Sequence, residues 1–393
     1  MTQARESVKT IADETDADQE NAGESLPEIP SNIPPGTRVR VIVNPSSGKK
    51  GAFTTNSLGV DDVSAALQAV GIDADICETA YPGHATELAR AAVRDGYEVV
   101  IACGGDGTVS EVAKSLIGKK SVTLGILPLG SANNVAHMTG VPFDLLEAAR
   151  NLHTGKVKNI DVGRCNGEYF LETAGIGLDA ALFPILNKVD KGEYIRLWDV
   201  LTTLFKFRQR TLTLVLDKRA VRVKALVVLV ANGPYWGYSL PLAPDAIIDD
   251  HKFDVVVFRN FSKTDFIRHI ISAMLHRNQP RNTSDANGDS SPGHTNHPKA
   301  HTYRARHVPV LTSPSRHWPA RTDTHLRNIS SANKTSLLDH TNHPKVRTYN
   351  ARRVQVLTMS RRPWPVHADA QPRGNTPALI ELLPGALRVI TGG

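Results

Sequence analysis

The segment Glu98-Val-Val-Ile-Ala-Cys-Gly-Gly-Asp-Gly-Thr108 decides how this chain is read. Glu98–Cys103 is a short run rich in β-branched and apolar residues, the signature of a buried strand. It breaks at Gly104-Gly105, and a helical pattern runs on through Leu116. Glycines at such a turn let main chain approach a ligand with no Cβ in the way. The following helix turns its free N–H groups and the positive end of its dipole toward the same space, which suits a phosphate. Asp106 is unusual there, since a carboxylate repels an anion. It fits either a metal-linked group or an acceptor that organises the loop.

The same alternation extends to both sides. Arg38–Val43 reads as a strand halted by Asn44-Pro45-Ser46-Ser47-Gly48-Lys49-Lys50. A helical pattern over Val60–Val70 ends at Gly71, a strand follows near Ala74–Thr79, and a helix covers Ala85–Arg94. Further on, the strand Val122–Leu127 runs into Pro128-Leu129-Gly130-Ser131-Ala132-Asn133-Asn134. Strands alternating with helices imply a mostly parallel sheet, whose ligands sit at the carboxyl ends of the strands. All three loops rich in Gly, Ser and Asn fall at such ends. Each alone reads equally well as an ordinary turn; together they point to a phosphate site.

From about Asn159 the texture changes to short β-rich runs, Tyr169–Thr173, Thr211–Leu216, Val221–Ala231 and Phe253–Phe258. They predict a second, mainly antiparallel domain, interrupted by an amphipathic stretch at Tyr194–Phe207. The C-terminal third holds a duplication. His294-Thr-Asn-His-Pro-Lys299 returns as His340-Thr-Asn-His-Pro-Lys345, and Trp318-Pro319 as Trp364-Pro365, at a constant offset of 46. Residues 281–326 and 327–372 are thus tandem copies. Only the second leads into the apolar finish Pro377–Ile390, so the first reads as a redundant insertion.

Residues 1–35 carry eight acidic side chains against Arg5 and Lys9, a balance of −6 within a chain of net charge +7. That stretch predicts a disordered acidic tail. The remaining basic body suits anionic partners. No apolar run has the length of a membrane span, and the three cysteines (Cys77, Cys103, Cys165) fit a reducing compartment, so a cytoplasmic location is expected.

The order and spacing of several motifs carry a resemblance. They are Asn44-Pro45-x-Ser-Gly48, Thr79 ahead of Gly83-His84-Ala85, Gly104–Thr108 followed by Glu111-Val112, and Leu127-Pro-Leu-Gly130 with Asn133-Asn134. In the second half they are Ala174-Gly-Ile-Gly-Leu-Asp179, Asn232-Gly-Pro-Tyr-Trp-Gly237, Leu242-Ala-Pro244, Trp364-Pro365 and Leu383-Pro-Gly385. Together these resemble the diacylglycerol kinase catalytic-domain family, bacterial lipid kinases related to sphingosine kinases and NAD kinases.

The resemblance implies an α/β fold with an N-terminal three-layer parallel-sheet nucleotide-binding domain over 36–158. A mainly antiparallel β-sandwich domain would span 159–376, with a terminal strand over 377–393 returning to the first domain. It implies an ATP-dependent lipid kinase that phosphorylates a diacylglycerol or sphingoid-like hydroxyl. Asn44, Ser46, Thr79, Gly104, Gly105, Asp106, Gly107, Thr108 and Ser131 would bind ATP, with Ser131 where the family usually has Thr. Asp250 would hold a structural Mg²⁺ with backbone oxygens of Ile247 and Lys252, although His251 replaces a usual Gly. The expected partners are a lipid and, transiently, a membrane surface; no nucleic acid is expected, and a homodimer is left open.

The chain departs from the family at Asp369-Ala370-Gln371. The family pattern is Asp-Gly-Glu, whose Glu is taken as the base. Gln371 cannot accept a proton, so an attenuated enzyme is expected, with Asp106 or Asp369 as substitutes. The alternatives are a non-catalytic nucleotide- or lipid-binding protein on the same fold, and a kinase of a soluble acceptor such as NAD.

Overall fold

The computed structural model describes residues 31–50, 53–54, 58–190, 197–237, 239–259, 264, 268, 346–358 and 363–392. The first tandem copy, 281–326, lies outside the described residues, as does the acidic tail up to residue 30. Within the stretch 1–35 expected as a tail, residues 32 and 33 are anchored: Asn32 N donates to His153 O at 3.0 Å, and Ile33 is buried in the core.

The first half runs β1 (Val39–Val43), α1 (Val60–Ala69), β2 (Asp75–Glu78), α2 (His84–Arg94), β3 (Val99–Gly104) and α3 (Asp106–Leu116). It continues with β4 (Thr123–Pro128), α4 (Asn134–Thr139) and α5 (Leu145–Thr154). β1 pairs in parallel with β2 on one side and β3 on the other, and β3 pairs in parallel with β4. β3 and β4 are buried at every residue, as parallel strands packed on both faces are. α3 buries Val109, Val112, Ala113 and Leu116, a stripe at helical spacing. The order in space reverses between β1 and β3. That is the topological switch point, where doubly wound sheets open a crevice at the strands' carboxyl ends.

The second half contains β5 (Lys156–Cys165), β6 (Glu168–Phe170), β7 (Thr173–Gly177), α6 (Leu178–Asp190), α7 (Leu197–Lys206), β8 (Arg210–Leu216) and β9 (Arg219–Ala231). Then come β10 (Phe253–Arg259), β11 (Val346–Ala351), β12 (Arg353–Thr358), β13 (Pro365–Ala368), β14 (Gln371–Asn375) and β15 (Ala378–Thr391). β14, β13, β7, β9, β8, β12 and β15 follow one another as antiparallel neighbours. Their core is aromatic: Phe170 stacks on Phe253 with ring centres 5.8 Å apart, and Trp364 is fully buried. β11, β12 and β13 come from the second tandem copy.

β15 joins the halves. Its first residues pair with β12, Val389 pairs in parallel with Leu124 of β4, and β5 runs antiparallel along it. The register shifts between Leu383 and Leu387, where Gly385 N donates to the buried Asp161 at 2.7 Å. Among the described residues, no helix is long and apolar enough to cross a membrane.

Candidate active site

The switch point gathers the loops that follow β1, β2, β3 and β4. Asn44 leaves β1 with its N–H on Cys103 O at 2.9 Å, and its side-chain amide donates to Thr108 Oγ1 at 3.0 Å. Its Oδ1 accepts from Ser46 N at 3.0 Å, an Asx turn that fixes the loop. Ser47 Oγ accepts from Gly105 N at 3.3 Å, which ties this loop to the Gly104–Thr108 turn. Thr79 lies beside them, its N–H bonded to Val43 O at 2.9 Å. Glu111 on α3 accepts from Gly83 N with both oxygens at 3.1 Å and so holds the loop that follows β2.

The loop after β4 approaches through two glycines. A Cβ on Gly130 would lie 2.4 Å from Gly105 Cα, so the main chains touch only because neither residue has a side chain. Ser131 follows directly. Asn44, Ser46, Thr79, Gly104–Thr108 and Ser131 thus line one end of the parallel sheet. α3 begins there, at Asp106, and the N–H groups of a first helical turn have no acceptor within their own helix.

The carboxylate of Asp106 does not point along this donor array. Its Oδ1 accepts from Val135 N at 3.0 Å, at the start of α4, with the N–H groups of Asn133 and Asn134 also contributing. Burial raises its pKa, and those N–H groups oppose the rise. Asp106 therefore acts as an acceptor that ties the Gly-rich turn to the next loop.

Asp369 plays a matching part in the other half. It accepts from the N–H groups of Leu171, Glu172 and Thr173 at 2.7, 3.0 and 3.2 Å. Burial raises its pKa against those three bonds. Asp369 and Ala370 form the two-residue turn of the β13–β14 hairpin, at φ +45° and +59°. Positive φ at both positions is the type I′ pattern that favours Asp-Gly, so Ala370 occupies a backbone that suits glycine. Gln371 starts β14, opposite Ala368, and is exposed.

Glu172 lies between these groups and was overlooked in the sequence reading. It is a buried residue whose Oε2 accepts from Asn134 Nδ2 at 2.6 Å. Burial raises its carboxyl well above the usual range, and the neighbouring Asp106 and Asp369 push it further. One signal was available: a lone acid in the otherwise apolar or uncharged run Phe170–Leu178.

The expected metal residues stand apart from this cluster. Asp250 Oδ1 accepts from Lys252 N at 3.2 Å, and its Oδ2 pairs with Lys252 Nζ at 3.2 Å, while Ile247 is exposed. The Asp250 carboxylate thus rests on Lys252; a Mg²⁺ held there by one carboxylate, main-chain oxygens and waters would require the Lys252 ammonium to move aside. Among the described residues, no group of three or more His, Cys, Asp or Glu is placed to hold a metal ion. His251 takes φ +62° and is held by its N–H and Nδ1 on Asp161 at 2.6 and 2.8 Å.

Comparison with known proteins agrees with this architecture. The family described as "Diacylglycerol kinase catalytic domain" matches residues 38–165. The "YegS C-terminal NAD kinase beta sandwich-like domain" matches 173–278 and 321–391. The diacylglycerol kinase of Bacillus subtilis (strain 168) is 29% identical over 239 residues, 59% of this chain and 77% of that protein. That of Staphylococcus saprophyticus is 27% identical over 280 residues, 70% of this chain and 84% of that protein. A crystal structure of a diacylglycerol kinase from Bacillus anthracis str. Sterne shares the fold with TM-score 0.57 at 21% identity, covering 90% of this chain and 97% of that one. The chain belongs to the diacylglycerol kinase catalytic-domain family, a family of lipid kinases.

Proposed function

We propose that this protein transfers the γ-phosphate of ATP, taken as its Mg²⁺ complex, to the hydroxyl of a diacylglycerol or sphingoid-like lipid. The convergence of the β1, β3 and β4 loops at the switch point carries the reading. The first turn of α3 at Gly107 and Thr108, with the side-chain-free approach of Gly104 and Gly105 and the polar side chains of Asn44, Ser46, Thr79 and Ser131, lines a space suited to a polyphosphate. Phosphoryl transfer needs mainly positioning and charge stabilisation, which such an array supplies. Asp106 and Asp369 hold the two walls in place, and Gln371 stands where the family carries its base.

The lipid is met at a membrane surface. α7 exposes Trp198 and Phe205 to 71% and 75%, seven residues apart and so on one face, with the exposed Lys206 and Arg208 nearby. Aromatic rings beside basic side chains suit an anionic bilayer interface.

The test is transfer from γ-labelled ATP with Mg²⁺ to a panel of lipids in mixed micelles. Labelled phospholipid is the expected product. Gln371 favours one rival, a protein that binds ATP without transfer; ATP binding with no labelled lipid or soluble product would establish it.

A further inference from the structure

We propose that Glu172 accepts the proton of the lipid hydroxyl, in place of the carboxylate missing at position 371. The inference rests on the lipid kinase reading above and adds a residue to it. Three observations carry it.

The other candidates are engaged. Gln371 has no proton-accepting form at neutral pH. Asp369 is held by three main-chain N–H groups at 2.7–3.2 Å, and Asp106 by those of the loop entering α4. Both work as clamps on the backbone.

Glu172 is placed by those clamps. Its own N–H is one of the three on Asp369, and its carbonyl accepts from Asn232 N at 2.9 Å. Asn134 orients the carboxylate through Oε2 and is itself fixed, with Nδ2 also on Gly237 O at 2.6 Å and Oδ1 accepting from Ser239 Oγ at 2.9 Å. A carboxylate oriented by a side chain that is itself oriented is the arrangement a general base requires.

The location is the junction of the two halves. Glu172 is near enough to feel the charges of both Asp106, at the start of the phosphate-loop helix, and Asp369, in the hairpin. In this proposal the lipid hydroxyl passes through this space on its way to a γ-phosphate held at the Gly104–Thr108 turn. In the step, the hydroxyl oxygen forms a bond to Pγ while the bond from Pγ to the β,γ-bridging oxygen breaks. The electron pair leaves with ADP, and the hydroxyl proton passes to Glu172 and then to solvent. The raised proton affinity brings the group closer to working pH than an ordinary carboxylate.

The experiment compares wild type, Glu172→Gln, Gln371→Glu and the double variant, using γ-labelled ATP, Mg²⁺ and lipid micelles. Glu172→Gln is expected to lower kcat by about 10²-fold or more with KM for ATP within about threefold of wild type, and Gln371→Glu should restore activity in that background. The acid limb of the wild-type pH profile should lie above the ordinary carboxylate range and move in the double variant. A purely structural Glu172 would be neither rescued from position 371 nor visible in the pH profile. Glu172→Gln with activity within about threefold of wild type, or a loss that Gln371→Glu does not rescue, overturns the proposal. If Glu172→Gln does not fold, Glu172→Asp keeps the carboxyl on a shorter arm, and an unchanged acid limb there overturns it too. A silent wild type with an active Gln371→Glu refutes the role of Glu172 and leaves the kinase reading standing. Silence from both refutes the two together.

Discussion

The loops after β1–β4 and the β13–β14 hairpin approach one site with opposite chemistry. The first set presents main-chain N–H groups, amides and hydroxyls, and its one acid, Asp106, is turned onto the start of α4. The second brings carboxylates: Asp369 in the turn and Glu172 on the strand connection it clamps. In the proposed reaction, donors for a phosphate come from the parallel half and the proton acceptor from the antiparallel half. Chemistry that needs both depends on β15, which hydrogen-bonds to each. Within the antiparallel half two non-glycine residues take a left-handed backbone: His251, which is held by Asp161, and Ala370, where Gly is preferred.

Substitutions can break this contrast, beginning with the donor side. Gly130→Ala would press a Cβ onto Gly105 and displace the phosphate turn, so ATP-dependent turnover should fall about 10²-fold in steady-state kinetics. On the acceptor side, Asp369→Asn leaves three N–H groups without their charged acceptor. Denaturant melts should show a loss of about 2 kcal/mol. Ala370→Gly should do the reverse and stabilise the hairpin by about 1 kcal/mol, read as a higher melting temperature.

A smaller effect follows from pH. Asp106, Glu172 and Asp369 all ionise less readily in the fold than in the unfolded chain. Above about pH 4 the native state therefore holds more protons than the unfolded state, and their contribution to stability falls as pH rises toward the raised native values. Glu172→Gln should flatten that decline, so its melting temperature should drop less than that of wild type between pH 5 and pH 8.

The parallel half was legible because its signals are local. β-branched runs, glycine stops and helical spacing placed β1, β3, α3 and β4 within a residue or two of where they lie. α6 was missed because Pro184 inside it argues against a helix. β5 starts at Lys156, ahead of Asn159, because Lys156-Val-Lys158 looks too polar for a strand until β15 pairs with it. Both copies of the duplication carry nearly the same strand signals, so their internal pattern does not separate them; only the apolar finish after the second copy singles it out. Glu172 escaped for a related reason: its surroundings are Asp106, Asn134 and Asp369, which only the folded chain brings near it.

The most direct test of the central claim is transfer of label from γ-labelled ATP, with Mg²⁺, to diacylglycerol in mixed micelles, run on wild type beside Gly130→Ala. Wild type should give labelled phospholipid and the variant a roughly 10²-fold slower reaction. Label that remains on ATP or enters only a soluble product with both proteins would contradict that claim.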